Sequence, residues 1–136
     1  MIDLTLGMAE TAVRAAQARA RELGTPMTVT VVDEAGRLVL CARGDGAGFF
    51  TPETSRAKAM AAAAWRKPTS ELAELASKGS LFWTSVPAIL AGQVLVSTGG
   101  MPLSRNGHVI GGIGCGGGTG EQDHLCAVAG ADAMRG

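Results

Sequence analysis

The 136-residue sequence contains no tyrosine, and its five aromatic side chains are three phenylalanines and two tryptophans. These counts exclude an interior built on stacked aromatic rings. Alanine, valine, leucine and isoleucine must therefore fill the core. Because a small chain with small core side chains buries little apolar surface, we expect the protein to form a homo-oligomer.

A strong charge of either sign is also missing. Twelve basic and twelve acidic side chains give a formal net charge of zero, without any run of lysine or arginine. Such a chain is poorly suited to nucleic acid or to anionic membranes. Its apolar runs are far shorter than the roughly 20 residues of a membrane span, and its N-terminus lacks the pattern of a signal peptide. We expect a cytoplasmic protein with neither nucleic-acid nor membrane partners.

Metal-binding residues are scarce as well. The three cysteines lack the CxxC spacing of a redox or zinc motif and, being odd in number, do not indicate a disulfide framework. They are Cys41, Cys115 and Cys126. Glu121 and His124 share a helical face at i, i+3, but a catalytic zinc needs three protein ligands. We therefore predict no metal site.

The first third of the chain predicts a helix followed by a hairpin. Apolar residues between Leu6 and Leu23 recur at spacings of three and four, and Gly24 and Pro26 then end the helix. Two β-rich runs surround the turn at 33–36, which is typical of antiparallel strands. The runs cover residues 27–32 and 37–43.

The rest of the chain predicts further helices and strands. They are a helix from Thr51 to about Lys67, a short helix from Thr69 to about Ala76, an irregular segment at 78–90, a strand at 93–97, a hairpin around Asn106-Gly107 and a helix from about Gly120 to Met134. The order α-ββ-α-α-βββ-α predicts one α+β domain over residues 1–136. Its antiparallel sheet would have about five strands, with helices packed against it.

A glycine-rich segment at 109–120 attracts attention next. It begins with β-branched residues, continues as glycines and ends at Thr119, three residues before Gln122, which is the spacing of a helix capping box. Bare backbone N–H groups beside a helix N-terminus can hold an anion or a carboxylate. The alternative is that the glycines only permit close packing. The sequence leaves both interpretations open.

Lys58 is the strongest candidate for a functional side chain. On a helical projection it lies almost opposite the charged arc of Glu53, Arg56 and Arg66, on the apolar side. An ammonium group there must be paired, bind something anionic or lose its proton. The alternative is that its stem reaches the edge of the apolar face.

Three other positions carry candidate chemistry. Arg43 and Asp45 flank a glycine after the first hairpin and can clamp a ligand, pair with each other or remain solvated. Cys115 lies within the glycine segment, where a nearby helix N-terminus would lower the pKa of its thiol. Small-residue packing is the competing explanation for Cys115.

Motifs along almost the whole chain resemble the GlcG/HbpS family. This is the haem-binding or DUF336-type domain that also occurs at the C-terminus of some corrinoid adenosyltransferases. The motifs are Val32-Asp33 with Gly36, residues 43–47, residues 57–59, residues 99–102, Gly107, residues 111–117, and Gln122-Asp123 with Ala127 and Gly130.

The resemblance implies a profilin-like α-β-α sandwich assembled as a homo-oligomer, often a tetramer or octamer. It also implies a cleft for a small-molecule ligand and makes haem a candidate cofactor. Carried over by position, Lys58 and Asp45 would be catalytic, and the ligand contacts would come from Arg43, Gly100, Cys115, Gly116 and Gly117.

Two classes of function follow. In the first, an enzyme without a metal moves a proton on a carboxylated or enolisable metabolite, using Lys58 or Asp45, with backbone N–H groups stabilising the negative oxygen. In the second, a non-catalytic protein binds haem or senses redox state. The first helix and first hairpin contain no histidine, so the candidate iron ligands are His108 and His124.

Overall fold

The computed structural model describes residues 3–135. The described residues form five helices and four strands. In chain order these are α1 Leu6–Leu23, β1 Thr28–Asp33, β2 Leu38–Ala42, α2 Thr51–Trp65, α3 Thr69–Ser77, α4 Leu81–Ile89, β3 Gly100–Arg105, β4 His108–Gly116 and α5 Gly120–Met134.

The strands form one antiparallel sheet in the order β2-β1-β4-β3. Side chains alternate across its central strands. Val29 and Val31 of β1 face the main core, which α1 and α5 share. Thr30 and Val32 face the opposite side, where Thr30 bonds Ser55 of α2 and Val32 packs against Ala59. The predicted α+β, profilin-like α-β-α sandwich is confirmed.

Local signals set the ends of several elements. Thr5 caps α1, and Gly24 ends it in the left-handed conformation. Thr119 and Gln122 form the predicted capping box at the start of α5. Each of these signals depends on residues within one helical turn.

The predicted fifth strand at 93–97 is wrong. This segment lies against α2, where the Leu95 N–H donates to the carbonyl oxygen of Ala57 at 3.2 Å and Val94 is buried beside Ala61 and Leu72. Its β-branched residues thus serve burial against a helix, which periodicity alone does not distinguish from a strand. The segment expected to be irregular contains α4, which Ser80 caps.

Candidate functional site

Lys58 points into the protein, and only 5% of the residue is exposed. Its Nζ donates to the carbonyl oxygen of Cys115 at 2.9 Å and to Oδ2 of Asp123 at 3.0 Å. The expectation of an inward-facing lysine is confirmed. Two of its three N–H groups are already engaged within the chain, so the ammonium group serves first as an internal ion pair.

Asp123 is the partner that sequence reasoning did not select. Its Oδ1 also accepts from the N–H of Gly118 at 3.0 Å. Burial raises the pKa of the Asp123 carboxyl above its ordinary value of 3.8, although the hydrogen bond and charge of Lys58 lower it in part. One signal could have identified it: Asp123, Ala127 and Gly130 share a helical face at i, i+4 and i+7, and all three are buried.

The glycines before β3 allow this ion pair to be enclosed. A Cβ atom on Gly99 would lie 2.8 Å from Cβ of Asp123 and 3.0 Å from Nζ of Lys58. A Cβ on Gly100 would lie 2.6 Å from the carbonyl oxygen of Lys58. The structure therefore brings Gly100, Cys115 and Lys58 together, as a closely packed junction between α2, β4 and α5.

The glycine segment differs from the expected loop. β4 continues through Gly116, and a Cβ atom on Gly114 would overlap the carbonyl oxygen of Ser55 in α2. Gly112 and Gly114 thus allow close contact between a strand and a helix. The loop that remains is short, and its donors are used internally, because the Thr119 N–H donates to Oε1 of Gln122 at 2.9 Å. Gly116 is buried and Gly117 is exposed.

The thiol of Cys115 is fully buried in the main core. Burial raises its pKa well above 9.0, and the nearby Cys126 and Asp123 raise it further, against the charge of Lys58. The expected lowering of this pKa is therefore wrong. The reason is that β4 carries the side chain into the core, away from the helix N-terminus and solvent.

Arg43 and Asp45 lie apart from this junction. Both are exposed in the loop that follows β2. Within residues 3–135, neither forms an ion pair or a side-chain hydrogen bond, with each other or with Lys58. The structure thus separates the two charged loop residues from the lysine that was expected to act with them.

A second place has the shape of a ligand site. An open cavity of about 700 Å³ lies at the C-terminal end of α2, where the β1–β2 turn and the β3–β4 hairpin approach each other. Its lining consists of Glu34, Arg66, Asn106, Gly107, His108, Val109 and Ile110. His108 begins β4 and is exposed. Sequence analysis singled out His108 but gave no reason to place it beside Arg66.

The other histidine has a different environment. His124 lies on α5 and is half-buried, and its Nδ1 is buried without a hydrogen-bond partner among the described residues. Residues 3–135 contain no group of three or more histidine, cysteine, aspartate or glutamate side chains that could hold a metal ion. Over the same residues, no helix has the length and apolarity to cross a membrane.

Comparison with known proteins places this architecture. A family model described as "Haem degrading protein HbpS-like" matches residues 4–132. The chain belongs to the HbpS-like family. This confirms the resemblance drawn from the sequence motifs.

Individual relatives agree with this membership. An uncharacterised 15.0 kDa protein from the dhaT-dhaS intergenic region of Citrobacter freundii is 33% identical over 129 residues, covering 95% of this chain and 90% of that protein. The Klebsiella pneumoniae protein ORFY, a DUF336 structure, superposes with a TM-score of 0.90 at 28% identity, covering 98% of this chain and 92% of its own. A structure solved as a PduOC:haem complex has a TM-score of 0.88 at 32% identity, covering 97% and 95%.

Proposed function

We propose that this protein binds haem in the cavity lined by His108 and Arg66. The observation that carries the proposal is an exposed imidazole at the wall of an open cavity of about 700 Å³. Membership of the HbpS-like family supports it, and so does the relative solved with haem.

The residues of the cavity fit the chemical parts of haem. A neutral ring nitrogen of His108 would bind the iron. Val109 and Ile110 supply apolar contact, and the Arg66 guanidinium is suited to the propionates. Bound haem would supply an iron centre for electron transfer or for binding small gases.

Proton transfer by Lys58 and Asp45 on a carboxylated metabolite is the second candidate. One observation favours it: Lys58 is buried beside a carboxylate, and such surroundings are common in catalytic sites. A substrate would first have to displace Asp123 from the lysine. It would also have to connect the buried ion pair with Asp45 and Arg43, which are exposed elsewhere. The open cavity needs no such rearrangement.

Titration of the purified protein with hemin tests the proposal. We expect a shifted Soret band that His108→Ala abolishes, because the iron loses its protein ligand. His124→Ala is the matched control, since it removes the only other histidine, and it should leave the shift unchanged.

Two outcomes contradict the proposal in different ways. Absence of any Soret shift with the wild-type protein would overturn haem binding itself. A shift that survives in His108→Ala but disappears in His124→Ala would place the iron on α5 and overturn the assignment of the cavity.

A further inference from the structure

Arg66 has an unusual backbone for its residue type. It ends α2 with φ 58° and ψ 37°, in the left-handed region. A side chain with a Cβ adopts this region at a cost, and glycine is the common choice at such helix ends. This chain follows that practice at α1, where Gly24 adopts φ 68° and ψ 32°. Helix termination alone therefore does not explain an arginine at this position.

The side chain of Arg66 lies at the cavity wall without a partner in the chain. Arg66 and Glu34 both line the cavity that His108 lines. Among residues 3–135, Arg66 forms no ion pair, and the Glu34 carboxylate on the same wall does not bind it. The C-terminal end of α2 carries a partial negative charge, which favours a cation there. A guanidinium is thus held at the cavity and remains available to an anionic group.

We propose that Arg66 binds the carboxylates of the ligand in the His108 cavity, and that its left-handed backbone is retained for this contact. The inference rests on the proposed haem function and adds a specificity-determining residue to it. Glu34 repels carboxylates on its own side, so the ligand is oriented with its carboxylates toward Arg66. The site therefore selects a planar apolar ligand that bears carboxylates at one edge.

Arg66→Gly separates the binding role from a structural one. Glycine adopts the left-handed conformation readily, so we expect the variant to keep or raise the wild-type melting temperature. Its affinity for hemin should fall by roughly three- to tenfold, the usual worth of a charge-assisted pair in an open site. For hemin dimethyl ester, which lacks free carboxylates, the wild type and Arg66→Gly should bind equally. Lys67→Gln, at the neighbouring exposed cation, is the matched control and should bind hemin as the wild type does.

The outcomes distinguish this inference from the proposed function. If wild-type protein binds no hemin, the proposed function fails, and this inference fails with it. If wild-type protein binds hemin and Arg66→Gly binds it equally well, only the role of Arg66 is overturned. An equal loss of affinity for hemin and for its dimethyl ester would assign Arg66 to the shape of the cavity and overturn the carboxylate contact.

Discussion

Lys58 and Asp123 form an ion pair whose side chains are 7% and 6% exposed. Burial of two charges is costly, and their mutual attraction offsets this cost only while both are present. The pair joins α2 to α5, and Lys58 also holds the carbonyl oxygen of Cys115 at the end of β4. At the scale of the residue, an unexpected charge on an apolar face thus has a structural explanation.

Lys58→Met should lower the free energy of unfolding by about 3–5 kcal/mol, because it leaves the Asp123 carboxylate buried without its cation. Denaturation in urea measures this loss. The double variant Lys58→Met/Asp123→Asn should recover part of it, since the amide oxygen can still accept from the Gly118 N–H while the unpaired charge is gone. Unchanged stability of Lys58→Met would contradict the importance of the pair and leave the lysine free for the proton-transfer candidate.

The pH dependence of Lys58→Met has a definite sign. Burial already holds the pKa of Asp123 above 3.8 in the presence of the lysine. Without Lys58 the native carboxyl retains its proton more strongly than the unfolded one does. The variant therefore loses stability as the pH rises above about 3.8 and regains it on acidification. Repeating the urea series at several pH values checks this direction against wild-type protein.

At the scale of the element, β4 shows why its glycines are needed. It pairs with both β1 and β3, and its glycine side faces the backbone of α2. Gly112 and Gly114 lie where a Cβ atom would overlap the carbonyl oxygens of Ala59 and Ser55. Helix and sheet therefore approach more closely than side chains permit.

Gly114→Ala should destabilise the fold by roughly 1–3 kcal/mol or more, because its methyl group must displace the α2 backbone. Gly7→Ala is the control. It lies in α1 with its nearest obstacle 3.8 Å away, and alanine favours a helix, so its melting temperature should equal or exceed that of wild type. Equal melting temperatures for Gly114→Ala and wild type would show that α2 does not pack this tightly on β4.

At the scale of the whole molecule, large apolar side chains remain uncovered. Phe49 and Phe50 precede α2, while Leu81, Phe82 and Ile89 belong to α4, and each is more than half exposed. Exposed apolar surface of this kind often marks association. We predict self-association, as the small core and the family resemblance also suggest.

Light scattering coupled to size exclusion measures the assembly. We expect a mass of four or eight times the 13.8 kDa of one chain, and adding Leu81→Asp to the protein provides a variant with a weakened apolar face. A wild-type mass of one chain at high protein concentration would contradict the prediction.

The sequence by itself determined the elements that depend on neighbouring residues. The caps of α1 and α5, the hairpin at Asn106-Gly107 and the inward direction of Lys58 follow from spacing within a few residues. These features arise from backbone geometry and helical periodicity, which are local properties. Family motifs extended the prediction to the α-β-α sandwich.

Only the tertiary structure decided which distant residues meet. Asp123 reaches Lys58 across 65 positions of sequence, and the glycines of β4 face a helix that lies far earlier in the chain. His108 and Arg66 line one cavity because two turns and a helix end converge there. Such contacts depend on how the layers pack, and no local pattern specifies them, because residues that are far apart in sequence become neighbours only when the chain folds.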